Sequence, residues 1–451
     1  MGDSKMKTES KGNMSETMNS NNGHLNWKDY LMWGVLLIIY ISLLMIGLTH
    51  EGVWYDEACS LGTIRHPLWE IWDVVRLDVH PPLYFFMLKL FSLVVGNSVL
   101  GLRIFSVIGL AALFLLGIGP VRRACGKTVG LLFSFMVVVT PIYFGIGRDI
   151  RMYAWATFFV TGSVLYAYLA MLDDKRNDWL KFGLFALAAM YIHYYGLLAM
   201  MILCGLILIR FFTVAREKFN RIFLIIVGVL IIAYLPWVIN FRTQLQVTAS
   251  GNYWIPLISK TTVREVLLYP FGYKFLNYDP YAIIGFRLAV GLIFWGFAVA
   301  LYKNQKMAAI PLAIGVYALT LLAAVIFSYF FWPILHSRHL LPVSGLLLLG
   351  TAYGIKQLPH KLLIPAIAAV FMGLLIPHII TINQRDFNGP IKEAVSYLRE
   401  NIKPEDVIIT TEEVTWGVFC YYFPEHQQLY YVEQKNAGYA NCRTFKPNGT
   451  A

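Results

Sequence analysis

Apolar residues in this chain gather into long runs, and a short polar cluster closes each run before the next begins. The runs lie near 31–49, 98–119, 128–146, 152–171, 179–192, 194–212, 222–240, 280–301, 308–329, 339–355 and 361–382. Several exceed the roughly 18 residues expected of a bilayer-crossing helix. Inside lipid every backbone amide must be paired, which leaves helices or closed barrels, and the alternating pattern of barrel strands is missing. The pattern predicts an all-α polytopic membrane protein with about eleven transmembrane helices.

One apolar segment breaks the rule. "HPPLYFFMLKLFSLVVG", residues 80–96, is short, contains Lys89 and opens on Pro81 and Pro82. Proline suits a first helical turn, where its missing amide proton would have had no partner. The segment is predicted to lie along the membrane interface as a juxtamembrane helix. Were it a span, every later connection would change sides.

The polar clusters are asymmetric. Arg122, Arg123 and Lys127, then Lys175, Arg176 and Lys181, then Arg210, Arg216, Lys218 and Arg221, then Lys303 and Lys306, then Lys356 and Lys361 fall at alternate connections. The positive-inside rule assigns these, with the Lys-containing N-terminal tail, to the cytoplasm. The opposite side receives the 50–97 loop, the turns at 147–151 and 193–195, the 241–279 loop, the 331–338 turn and the chain from about 383. Three regions are expected: a disordered cytoplasmic tail at 1–26, a transmembrane domain at 27–382 and a small extracytoplasmic α/β segment at 383–451. The run from Leu31 is too long for a signal core and is read as a retained span of a multi-pass plasma-membrane protein.

Of 451 residues, 58% are hydrophobic and 14% charged, too little polar surface for a large soluble globule. The net charge of +11 would fit a nucleic-acid partner, but its clustering in short loops has a membrane explanation, and no nucleic acid is expected. Cys59, Cys125, Cys204, Cys420 and Cys442 show no metal-like spacing. No internal repeat is visible, which counts against a transporter built from duplicated halves.

Ionisable residues are sparse within the runs and dense in the expected external loops: Asp56, Glu57, Asp78, His80, Arg148, Asp149, Arg151, His193, Arg338 and His339. In "VWYDEACS", Asp56 and Glu57 follow Trp54 and Tyr55, aromatics suited to headgroup level. Alone, the pair reads equally as the acidic first turn of a helix or as a general base with its companion. "DVHPP" offers Asp78 and His80, either a turn before a proline pair or site residues. "GRDIRMYAW" sets Arg148, Asp149, Arg151 and Tyr153 in one turn, where arginine snorkels to headgroups or clamps a phosphate. "IHYYG" places His193 and Tyr194 between two runs, and "HSRHLLP" places Arg338 and His339 before another.

In order along the chain, "WYDEA", "DVHPPLYFF", "LGLRIFS", "RDIRMYAW", "HYYGL" and "SRHLLPV" resemble the C-type (GT-C) membrane glycosyltransferases that use dolichyl- or polyprenyl-phosphate sugars. That group includes the protein O-mannosyltransferases and the lipid A aminoarabinose transferases. The resemblance runs from Trp54 to about Pro342 and implies a helical bundle whose sugar donor hangs on a polyisoprenoid phosphate. It implies catalytic roles for Asp56, Glu57 and Asp149, and donor-phosphate or substrate contacts for Tyr55, Asp78, His80, Arg151, Tyr153, His193, Tyr194 and Arg338. The chain departs from the pattern in carrying Asp149 where many relatives have Glu, and His339 where they often have Tyr.

A lipid phosphate leaving group needs positive charge, from Arg151, Arg338 or a divalent metal (Mg, Mn or Zn) with Glu57, His80 or His193 as candidate ligands. The acceptor hydroxyl, on a lipid, protein or glycan, needs a base, for which Asp56 is the candidate. Direct displacement inverts the anomeric carbon. The alternative is a lipid or polar-solute transporter or flippase, which would concentrate ionisable residues at mid-membrane.

Overall fold

The computed structural model describes residues 25–48, 52–213, 221–249, 255–272, 280–305, 309–384, 389–411, 413–426 and 428–431. Cys442 and most of the expected N-terminal tail lie outside them. Helix α1 (Trp27–Met45) starts at a capping box in which Asn26 and Asp29 each accept the other's backbone amide at 3.0 Å. The first loop holds α2 (Tyr55–Thr63), α3 (Ile71–Val75) and α4 (Leu83–Val95). Helix α5 (Val99–Leu115) runs through a π-turn at Gly117–Val121 into α6 (Arg122–Cys125). Pro120 lacks an amide proton and Gly119 leaves helical geometry, which accounts for the break. Then follow α7 (Lys127–Val138), α8 (Tyr153–Asp173), α9 (Arg176–Ile192), α10 (Tyr194–Thr213), α11 (Arg221–Ala249), α12 (Lys260–Leu268), α13 (Pro280–Tyr302), α14 (Ile310–Phe330), α15 (Ser344–Lys356) and α16 (Leu363–Gln384).

Eight of the eleven predicted runs are helices long and apolar enough to cross a membrane. The other three correspond to α7, α9 and α15, of 12, 17 and 13 residues. The 128–146 run stops helically at Val138 and continues as a 3-10 turn at Pro141–Phe144, and a second 3-10 segment, Ser337–Val343, precedes α15. Pro141 and Pro342 impose these breaks, since proline cannot donate to the preceding turn. The expected loop from 241 instead begins as helix: α11 carries on to Ala249, because "NFRTQLQVTA" contains no residue that breaks it. Helices approach closely where side chains are absent. A Cβ at Gly354 would strike the Leu292 carbonyl, so α15 and α13 pack backbone to backbone.

The two ends of the bundle differ in charge. At one end Lys127 pairs with Asp29, and Arg123 grips Asp178 through two bonds of 2.8 and 2.7 Å, uniting three of the lysine- and arginine-bearing connections. At the other end Arg103, in the second turn of α5, donates to the Leu48 and Gly52 carbonyls, and Arg148 donates to those of Leu44 and Ile46. Helix α1 therefore ends where α5 begins, and the chain between them makes no net crossing. Helix α4, 13 residues long and buried along Tyr84, Phe85 and Leu88, stays at that end.

The C-terminal segment is α17 (Gly389–Asn401), β1 (Ile408–Thr410), α18 (Glu413–Tyr422) and β2 (Leu429–Tyr431). The strands pair in parallel with Ile408 opposite Leu429, and Val395, Ile408, Phe419 and Leu429 form a small core. This unit sits on the first loop: the Val53 amide donates to the Tyr422 hydroxyl at 2.8 Å, and Arg65 donates to the Tyr421 carbonyl at 3.2 Å.

Candidate active site at the loop end of the bundle

Trp54 takes the cap position of α2, and Asp56 and Glu57 fill its first turn, where carboxylates complement the helix dipole. Successive helical positions point about 100° apart, and this separates the neighbours. Glu57 is fully buried. It accepts from Arg103 at 2.9 and 2.6 Å and from the Ile150 amide at 3.0 Å. Its bonds join α2 to α5 and to the 147–151 turn, facing away from the other candidate residues.

Asp56 turns the other way. Its Oδ2 lies 2.7 Å from an Arg338 nitrogen and 4.0 Å from Arg151 Nε. Arg151, buried, also donates to the Asp56 carbonyl at 3.1 Å and to Ser60 Oγ at 3.2 Å, and its other nitrogen sits 3.2 Å from His80 Nε2. A guanidinium has only protons to offer, so His80 Nε2 is the acceptor and its proton resides on Nδ1. That nitrogen faces Asp78 Oδ2 at 3.6 Å, while Asp78 Oδ1 accepts the Val79 amide at 2.7 Å. Four side chains thus form one line, from Asp78 through His80 and Arg151 to Asp56.

His193 occupies the extended residue between α9 and α10. Its Nδ1 accepts the Tyr195 amide at 3.1 Å, which leaves the proton on Nε2. Its ring lies 5.9 Å from His80, 5.8 Å from Tyr153 and 5.9 Å from His339. Arg151 Nε, the Tyr153 hydroxyl and His193 Nε2 are buried donors with no hydrogen-bond partner among the described residues. Buried polar atoms are nearly always paired. Three spare donors in one cluster constitute a ready cradle for an oxyanion.

The electrostatics agree. Burial alone raises the Asp56 pKa, but Arg338, then Arg151 and His80, outweigh it and hold the carboxyl below its usual range. Asp78 is likewise lowered, burial being overcome by the His80 hydrogen bond. Burial, then Arg151, pushes His80 down, and burial, then His80 and the two arginines, pushes His193 well below 6.5, so both rings are neutral at pH 7.

Asp149 is partly exposed, and its backbone carbonyl accepts from Ser106 and from the Arg151 amide. Its charge and that of Asp56 both reach the hydroxyls of Tyr153 and Tyr269. Tyr55 is half-buried against the core. The Tyr194 hydroxyl is engaged elsewhere, accepting from Trp237 at 3.0 Å and donating to Gln244.

Sequence reasoning overlooked Gln244, buried in the part of α11 beyond its apolar run. Its amide donates to the Val75 carbonyl at 3.2 Å and reaches that of His80 at 3.5 Å, steadying the segment that carries Asp78 and His80. Only the absence of a helix breaker after Asn240 could have signalled it. Trp54, whose ring lies 5.5 Å from the Arg338 guanidinium, and Tyr269 were also overlooked as site residues. Among the described residues no three His, Cys, Asp or Glu side chains converge as a metal site. The expected ligands divide, with His80 and His193 in the cluster and Glu57 turned toward Arg103.

The family model for dolichyl-phosphate-mannose-protein mannosyltransferase matches residues 79–239. No curated protein matches the chain. ArnT from Cupriavidus metallidurans, in its apo structure, is 12% identical with a TM-score of 0.64, covering 91% of this chain and 86% of that one. Its structure with undecaprenyl phosphate gives the same identity and coverage and a TM-score of 0.63. The apo oligosaccharyltransferase of Archaeoglobus fulgidus is 10% identical over 91% of this chain and 65% of that one, with a TM-score of 0.54. The protein is a multi-pass membrane protein with the GT-C fold. The resemblance read from its motifs is borne out by the fold and by the family model across the 79–239 segment.

Proposed function

We propose that this protein is an inverting glycosyltransferase that moves a sugar from a polyprenyl-phosphate donor to an acceptor hydroxyl on the extracytoplasmic side. The observation that carries the reading is the Asp56 carboxylate held beside Arg338 and Arg151, next to buried donors that have no partner among the described residues. The family model concerns a dolichyl-phosphate sugar, and one structural neighbour holds undecaprenyl phosphate, so both involve a polyisoprenoid phosphate.

In this reading Arg151, Tyr153 and His193 hydrogen-bond the donor phosphate, with Arg338 neutralising its charge. Preformed donors in a water-poor site cost no reorganisation as negative charge builds on the leaving oxygen. The acceptor oxygen attacks the anomeric carbon from the face opposite the phosphate. The new C–O bond forms as the bond to the phosphate oxygen breaks, the polyprenyl phosphate leaves with that electron pair, and Asp56 takes the hydroxyl proton. A phosphate that draws Arg338 toward itself releases Asp56 from its strongest partner and makes it a better base. Glu57 acts by holding α2 in place, and Asp78 by setting the His80 tautomer that receives Arg151.

The test compares envelope glycans, by mass spectrometry, in cells carrying wild-type protein, Asp56→Asn or none. The expected result is a sugar present only with wild type, while the variant accumulates in the membrane at normal level. Transfer that persists in Asp56→Asn removes Asp56 as the base.

A further inference from the structure

A second polar feature lies on the far side of α2, where the C-terminal unit meets the first loop. A cleft of about 290 Å³ has Leu61, Arg65, Asn97, Arg399, Tyr421 and Tyr422 among its lining residues. The Arg65 guanidinium stands 5.4 Å from the Tyr421 ring and Arg399 stands 5.5 Å from Tyr422, while the two tyrosines meet edge to face at 5.0 Å. Two like charges are thus brought to one small concavity. Neither arginine forms an ion pair among the described residues, and no carboxylate lines the cleft.

We infer that this cleft binds a phosphate or carboxylate group carried by the saccharide acceptor. A guanidinium held over a tyrosine ring is attracted to its face and keeps N–H edges to grip an oxyanion two at a time. The tyrosine faces and the Asn97 amide suit the apolar face and hydroxyls of a sugar. Leu61, on the cleft wall, follows Asp56 by five helical positions, about 7 Å along α2 and about 140° around it, and Arg65 lies beyond the end of that helix. An acceptor that fills the cleft therefore presents a hydroxyl to Asp56 only if several sugar units separate the anionic group from the point of attack. The occupant is an extended anionic glycan, and the C-terminal unit selects it. The inference depends on the transferase reading for its purpose, but binding itself needs none of the catalytic groups.

The experiment uses the full chain in phosphatidylcholine nanodiscs, with a phosphorylated mannopentaose as probe, unphosphorylated mannopentaose as control, and binding of each read by the line width of its anomeric proton resonances. The wild type and Asp56→Asn bind the phosphorylated probe alike. Arg65→Gln and Arg399→Gln each weaken it about tenfold, the range of one charge-assisted hydrogen-bond pair. Arg65→Lys recovers part of the loss. Equal affinity for both probes, or unchanged binding in a folded Arg65→Gln/Arg399→Gln protein, overturns the inference. So does the outcome in which 30% phosphatidylglycerol displaces the probe completely, since the cleft is then a lipid headgroup site. Loss of binding in Asp56→Asn also overturns it. Binding retained without sugar transfer by any variant or wild type would instead defeat the transferase reading and spare the cleft.

Discussion

Glu57 and Asp56 are adjacent carboxylates, and replacing Glu57 by glutamine distinguishes the role given to each. The glutamine keeps the shape and one acceptor for the Ile150 amide, but it removes the charge and turns an N–H₂ toward an Arg103 nitrogen that now approaches to 2.6 Å. Both partners are nearly inaccessible, 4% and 0% exposed, so Arg103 is left as a buried charge without its carboxylate, although the Leu48 and Gly52 carbonyls remain. Breaking such a pair costs about 3–5 kcal/mol, or two to three and a half powers of ten in the folded ratio. Denaturant unfolding in mixed micelles, followed by tryptophan fluorescence, measures the loss. The double variant Glu57→Gln/Arg103→Gln is expected to lose about 2 kcal/mol less than the sum of the two single losses, because the stranded charge is gone. Transfer per folded molecule falls far less than in Asp56→Asn, where loss of a general base removes about 10²–10⁴ in rate. A Glu57→Gln protein within 1 kcal/mol of wild type that has lost a hundredfold in turnover would refute the reasoning and make Glu57 a participant in the chemistry.

Four further outcomes follow from the cluster. The Asp56 pKa is depressed, so its ionised form persists as pH falls and activity is lost only below the ordinary carboxylate range. Arg338→Gln removes its strongest lowering influence and should move that acid limb to higher pH, and an unmoved limb would dissociate Asp56 from the titration. His80 and His193 are neutral at pH 7 and their pKa values are pushed down, so the wild-type profile should show no break near 6.5 attributable to either ring. His193→Gln retains an N–H donor and is expected to keep most donor affinity, whereas His193→Phe loses about tenfold, as measured by KM for the polyprenyl-phosphate sugar. Gln244→Ala frees the His80 segment and should lower kcat/KM about tenfold with little change in expression; a variant equal to wild type would show that the α11 extension does not position the site.

The chain's apolar runs and the presence of a short helix at 80–96 were legible in the sequence, because burying a backbone in lipid is a local requirement that each segment meets by itself. The motifs from Trp54 to Pro342 were also readable, as were the residues that the loop end gathers: Asp56, Asp78, His80, Arg151, Tyr153, His193 and Arg338. Which neighbour of the Asp56–Glu57 pair faces that cluster was not, since the answer depends on Arg103, 46 residues away, and Arg338, some 280 residues away. Tertiary packing alone decided the His80 and His193 tautomers, because each is set by the partner that reaches the opposite ring nitrogen. It likewise recruited Gln244 from a stretch read as loop and seated the C-terminal unit on α2. Hydrophobic patterning specifies elements one at a time, whereas the pairing of charges is chosen only when several elements have excluded water from the same place.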